Sequence, residues 1–193
     1  MPLFPLHAMT GTTQSLALVQ GWELAVLPPG RAVNPVGLAR AAPEWQSAQV
    51  PGTAMATLFA AGQADFSRLP PLDAQDVWYR CRFPAPACAS PETRQVLVFE
   101  GLATVAEVWL NGARILESSN MFLAHEVEVS ASLQTSNELL IRFASVQEVL
   151  KARRPRPRWK TRLVEQQQLR WLRTSLLGRI PRWTPTTPAI GPW

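Results

Sequence analysis

Along the first 150 positions apolar residues recur mostly with a period of two. They fall in short runs cut by Gly, Pro and Asn, a pattern that predicts strands rather than helices. Leu16–Val19 and Trp22–Val26 are extended segments separated by Gly21, and Pro28-Pro29-Gly30 closes the second. Val77–Phe83 sets Tyr79, Cys81 and Phe83 on one face and Trp78, Arg80 and Arg82 on the other. Gln95–Phe99 is an apolar run suited to a central strand. Val105–Leu110, then Asn111-Gly112, then Ala113–Leu116 is a hairpin pattern, since a type I′ turn needs positive φ at both central residues. Glu126–Ser130 alternates with Val127 and Val129 inward, and Glu138–Phe143 opposes Leu140 to Leu139 and Ile141. One helix interrupts the strands: Thr53 is its N-cap, Met55, Leu58 and Phe59 share a face, and Gly62 stops it. The expected fold is all-β, an antiparallel β-sandwich with one or two short helices.

Beyond residue 150 the pattern changes. Prolines and cations make 151–162 an exposed connection, Leu163–Leu177 has an amphipathic spacing through Leu169, Leu172 and Leu176, and Ile180–Trp193 carries four prolines in fourteen residues. A closing strand ending on Trp193 is cut off as it begins, so a fragment of a longer protein is expected. The chain reads as one domain over 1–193, with 151–182 a basic, Pro-rich connection and irregular segment within it.

Charge follows the same division. Residues 1–150 hold eight Arg and no Lys against thirteen Asp or Glu, a net of −5, while 151–193 hold eleven Lys or Arg against Glu165 alone, a net of +10. The cluster Lys151, Arg153, Arg154, Arg156, Arg158, Lys160 and Arg162 raises a polyanion partner, because cations on phosphate release counterions. Only Trp159 interleaves with it and no nucleic-acid fold accompanies it, so a solvated or interdomain loop is the preferred reading and nucleic acid is disfavoured.

Composition excludes several classes. Eight Trp and seven Phe are too many for a disordered chain, and no apolar run approaches the roughly 18–20 residues of a membrane span. Two cysteines, Cys81 and Cys88, exclude a disulfide framework and a cysteine-only metal site. Cys81 points toward the core as an inert thiol, and Cys88 has no His or Asp near it in sequence. His7 and His125 are too few for a metal centre, and His125 fits a turn-packing role. Glu126 and Glu128 share a strand face, but catalytic carboxylates need a cleft and a perturbed pKa, so a solvated face is preferred. Trp78 and Trp109 offer faces for a pyranose, yet a sandwich tryptophan more often packs in a core. No motif suggests a cofactor. The opening MPLFPLHAMTGTTQ has no Lys or Arg and no long apolar run, which leads to the expectation of a cytoplasmic protein.

Several segments, taken in order, resemble one family. The run Phe99-Glu-Gly-Leu-Ala-Thr-Val-Ala-Glu-Val-Trp-Leu-Asn-Gly112 resembles the N-terminal sugar-binding domain of family 2 glycoside hydrolases. Ser119-Asn-Met-Phe-Leu-Ala-His125 and Val50-Pro-Gly-Thr53 are similar to the β-mannosidase-like branch. So are Asp76-Val-Trp-Tyr-Arg-Cys-Arg-Phe83 and the order of Ala152–Arg158, Leu169-Arg170 and Ile180–Trp193. The resemblance implies a jelly-roll (galactose-binding-like) sandwich that precedes immunoglobulin-like domains and a catalytic (β/α)₈ barrel. A retaining glycosidase needs two carboxyl groups roughly 5–5.5 Å apart, and no such pair can be placed in this chain.

One departure stands out. Where β-mannosidase relatives read Gly-Trp-Asp-Trp-Gly-Pro, this chain reads Ile180-Pro-Arg-Trp-Thr-Pro185. The aspartate that the resemblance implies should bind sugar hydroxyls falls on Arg182, which donates hydrogen bonds but accepts none, while Trp183 is kept. Arg182 and Trp183 are thus the candidate substrate-binding residues. The expected role is an accessory sandwich of a β-mannosidase-like hydrolase that binds a β-linked glycoside together with the parent's other domains, with no hydrolysis of its own. A stand-alone carbohydrate-binding module and a polyanion-binding sandwich using 151–162 stay open as alternatives.

Overall fold

The structure is a computed structural model that describes residues 15–65, 69–86 and 93–151. Strand β1 (Trp22–Leu27) leads to helix α1 (Pro35–Ala41), a two-residue strand β2 (Gln46–Ser47) and helix α2 (Ala54–Ala60). A 3-10 turn at Leu72–Ala74 then precedes the long strand β3 (Asp76–Pro84). Strands β4 (Val96–Phe99), β5 (Ala106–Leu110), β6 (Ala113–Ser118), β7 (His125–Glu128) and β8 (Ser136–Phe143) follow, and helix α3 (Val146–Lys151) ends the described chain.

All pairings among these strands are antiparallel. One sheet runs β2-β1-β3-β8-β5-β6 and the other is the pair β4-β7. The expected sandwich follows from the alternation. Tyr79 lies opposite Leu24 on one side and Ile141 on the other, and Ile141 lies opposite Val108, so the inward residues of four strands form one row. That row, with Cys81 and Leu139, packs against Leu58 of α2, Phe99 and Leu102, with Leu97 and Val127 of the small sheet around it. Each such side chain taken fully from water stabilises the fold by about 1.5–3 kcal/mol.

The large sheet is covered on its other face as well. Leu27, Ala32, Trp78, Trp109 and Leu140 make a second core there, closed by Leu38 of α1. Trp78 and Trp109 lie with ring centroids 5.2 Å apart and planes 23° apart, so the two rings stack on each other. Both are buried, and the core reading of these tryptophans is the one the structure bears out.

The local predictions hold where the chemistry is short-range. Thr53 Oγ1 accepts a hydrogen bond from the Ala56 amide at 3.1 Å and so caps α2. Asn111 and Gly112 take φ of 51° and 84°, the left-handed pair of a type I′ turn. The Asn111 side chain also donates to the Ser132 carbonyl at 2.8 Å and accepts from the Glu138 amide at 2.9 Å, tying the hairpin tip to the start of β8.

Three expectations change. Leu16–Val19 is not a strand, because both edges of β1 are taken by β2 and β3. Leu18 instead offers its carbonyl to the Trp22 indole at 2.7 Å. Residues 96–99 do not form a central strand: among the described residues β4 pairs with β7 alone, and Val98 faces solvent beside Glu126. Helices α1 and α3 were not expected. Asn34 caps α1 by accepting from the Gly37 amide at 2.8 Å, with Pro35 opening the helix, a signature legible in Asn34-Pro35. The segment 163–177 and the 151–162 connection beyond Lys151 lie outside the described residues.

Tyr79, the only tyrosine of the chain, sits edge-on to Trp22 and to Phe143. Burial pushes its phenol up to about 12. The unfolded chain gives up that proton near 10, so the folded state binds more protons in between and stability falls as pH rises from about 10 to about 12. The expected loss attributable to this group is about 2–3 kcal/mol. Urea titrations of wild type and Tyr79→Phe across that range should diverge by this amount, the variant losing less; parallel curves would contradict the assignment.

Candidate functional site

Three of the quoted segments become loops and strand ends. Val50–Thr53 is the turn into α2, and its Val50–Pro51 bond is cis. Residues 100–105 connect β4 to β5, with Ala103–Thr104 also cis. Residues 119–124 connect β6 to β7 and lie against the 100–105 connection. A Cβ on Gly101 would stand 2.8 Å from the Met121 carbonyl oxygen, so only glycine allows that approach. Thr104 Oγ1 also meets Met121 Sδ at 4.0 Å.

The 119–124 loop is braced at both ends. Asn120 Oδ1 accepts from the Phe122 amide at 3.0 Å, and Ser118 Oγ lies 3.0 Å from His125 Nε2 across the mouth of the loop. His125 is therefore a turn-packing residue, as expected. Glu126 and Glu128 are exposed on β7, and Glu128 pairs with Arg94 at 2.9 Å, so they form a solvated face.

The most polar interior site is one the sequence reading missed. Asp76, the first residue of β3, is 1% exposed. Its Oδ2 accepts from the Gly30 amide at 2.9 Å and from Arg142 Nη2 at 2.9 Å, and its Oδ1 accepts from the Ser145 amide at 2.8 Å. Arg142 Nη1 donates in turn to Glu107 Oε2 at 2.8 Å. The Ser145 hydroxyl donates to the Asp73 carbonyl at 2.9 Å and accepts from the Glu148 amide at 3.3 Å, capping α3. Ser145-Val-Gln-Glu148 carries the spacing of a capping box, the signal that would have revealed this helix. Asp76 and Arg142, by contrast, are 66 residues apart and no local pattern links them.

An open groove of about 600 Å³ runs past this network, lined by Gly30, Asp76, Arg142, Ser145 and Glu148. Its charged groups are spent in ion pairs, Asp76 on Arg142 and Glu148 on Lys151. Asp76 and Glu107 hold opposite nitrogens of one guanidinium, an arrangement that ties strands together and offers neither a free nucleophile nor a proton donor. A second depression of about 410 Å³ lies beside β1 and α2, lined by Glu44, Gln46, Gln63, Pro70, Leu72 and Gln75. Gln46 Nε2 donates to Gln63 Oε1 at 2.8 Å, while Gln46 Oε1 has no partner among the described residues. The amides there supply both donors and acceptors.

Cys81 is buried as predicted, and burial pushes its thiol up, away from the reactive thiolate. Among the described residues no group of three His, Cys, Asp or Glu is placed to hold a metal ion, and no helix is long and apolar enough to cross a membrane. Arg182, Trp183 and Cys88 lie outside the described residues.

Removing one partner of the buried ion pair leaves the other uncompensated. Arg142→Ala should lower the unfolding free energy by about 3–5 kcal/mol in a urea titration at neutral pH. Arg114→Ala, which removes two pairs of an exposed guanidinium, to Glu117 and to Glu107 at 3.4 Å each, should cost less than about 1 kcal/mol. Equal losses for the two variants would show that Asp76 does not depend on Arg142.

Comparison with known proteins adds the following. The profile of the family described as glycosyl hydrolase 2 galactose-binding domain-like matches residues 36–193. The chain is similar to a beta-mannosidase B of Thermothelomyces thermophilus, with 54% identity over 69 residues, 35% of this chain and 8% of the relative. A beta-mannosidase B of Aspergillus terreus is 40% identical over 75 residues, 39% of this chain and 9% of the relative. A solved beta-D-mannosidase from Dictyoglomus thermophilum matches with a TM-score of 0.60 and 27% identity, over 75% of this chain and 17% of its own. The matched stretches thus span less than a tenth of the length of these two curated relatives.

Proposed function

The chain belongs to the glycosyl hydrolase 2 galactose-binding domain-like family, and from that premise we propose that it is the accessory sandwich of a β-mannosidase-like glycoside hydrolase. In this reading the jelly-roll body braces a catalytic part carried elsewhere in a longer protein, and Arg182 and Trp183 contribute to the sugar pocket. The observation that supports it is the family match over residues 36–193, together with relatives named as beta-mannosidases of which the match covers so little. The chemistry agrees. Asp76 is buried against Arg142, Glu107 is paired with both Arg142 and Arg114, and Glu126 and Glu128 face solvent rather than a cleft, so none of these four carboxylates is set up as an acid–nucleophile pair.

Arg182 gives the pocket a donor and a positive charge where an acceptor is usual, which favours a sugar with an acidic or acceptor-rich substituent. Trp183 offers a flat apolar face for a pyranose ring. A second reading, a stand-alone carbohydrate-binding module, draws on the depression at Gln46, Gln63 and Gln75. A cytoplasmic location belongs to the proposal as well.

The test is kinetic. In the longer protein, Arg182→Ala and Trp183→Ala should each raise KM or lower kcat/KM for 4-nitrophenyl β-mannoside about tenfold or more, without changing the thermal midpoint. The 193-residue chain alone should hydrolyse none of it. Unchanged kinetics in both variants would remove these residues from the pocket, and millimolar mannoside binding by the chain alone, abolished by Gln46→Leu, would favour the stand-alone reading.

A further inference from the structure

The largest unexplained apolar exposure among the described residues is Met121-Phe122-Leu123, whose side chains are 36%, 84% and 53% exposed. Scattered surface hydrophobes are ordinary, but three consecutive large ones on one loop form a patch of the kind that marks an interaction site. This loop is also held in shape. The Phe122 amide is fixed by Asn120, Met121 is backed by Gly101 and Thr104, and Ser118 and His125 close its mouth. An ordered apolar tip enters a partner with little loss of conformational freedom, which is the economy of a preorganised contact.

We infer that Phe122 and its neighbours form a plug that seats in an apolar socket on the remainder of the longer hydrolase, so that this loop docks the sandwich onto the rest of that protein. The inference rests on the reading under Proposed function. What selects this occupant is size: the solved beta-D-mannosidase aligns with 75% of this chain over only 17% of its own length, so in a protein of that length most of the surface able to cover the plug lies outside this chain. Charge points the same way. Glu100 opens one connection and Glu126 closely follows the other in sequence, in a body of net −5, so the socket should be apolar with a basic rim.

Hydroxyl-radical footprinting on the 193-residue chain and on the longer protein isolated from the source tests this. Met121 and Phe122 should label readily in the chain and about tenfold more slowly in the longer protein. In the longer protein Phe122→Ser should restore fast labelling at Met121. The variant chain alone should keep its thermal midpoint, since Phe122 contributes almost nothing to its core, and Val36→Ser on α1, across the large sheet, should change nothing in either protein. Equal labelling of chain and longer protein would overturn the docking assignment and leave the accessory-domain reading intact. Concentration-dependent protection in the chain alone would assign the plug to a second copy instead and overturn it too. A native protein of only 21.4 kDa would overturn the reading and the inference together.

Discussion

Asp76 is the point through which this sandwich is tied. A carboxylate with 1% exposure is tolerable only if every lone pair direction is answered, and here two backbone amides and a guanidinium answer them. The four groups come from four places: the turn after β1, the first residue of β3, the end of β8 and the cap of α3. Coulomb attraction alone would be a poor reason to bury the pair, because desolvation takes back much of it. The gain lies in specificity. Misplacing any one of the four segments strands a charge in the interior, so the network rejects alternative registers that an apolar row would accept.

The second constraint is that the large sheet is covered on both faces. β3 and β8 run through its middle and carry apolar side chains on alternate sides, one set meeting the small sheet and α2, the other meeting α1 through the Trp78–Trp109 stack. This explains why tryptophans that look like sugar platforms in the sequence are unavailable to a sugar. It also moves any binding function off the sheet faces and onto the loops. Of the family's quoted segments, Val50–Thr53, 100–105 and 119–124 fall in such loops while Asp76–Phe83 is strand β3, and the 100–105 and 119–124 connections are held by short contacts rather than left open.

Much of this was legible beforehand, for identifiable reasons. Period-two alternation in 77–83 and 138–143, the Asn111-Gly112 turn and the Thr53 cap are all settled within a few residues, and the structure bears them out. The short helices α1 and α3 escaped because six or seven residues are too few to show an amphipathic face: α1 buries only Leu38 and α3 no residue, so their signal lay in their caps alone. The 95–99 run misled for a related reason: apolar composition suits a central strand, but sheet order is decided by distant partners. The Asp76 network was invisible because its members meet only after the fold brings residues 30, 76, 142 and 145 together. Of the candidate site, residues 182 and 183 were proposed from the sequence by likeness and lie outside the described residues, while the contacts that shape the 119–124 loop had no local signature beyond Asn120.

The cap of α3 has a mechanical consequence. Ser145 is bonded to both Asp76 and the Asp73 carbonyl, so the six-residue helix Val146–Lys151 begins from an immobile base and extends about 9 Å from it. The direction in which α3 leaves the sandwich is thereby set from the interior. The buried carboxylate on β3 thus acts as the mounting of a pointer.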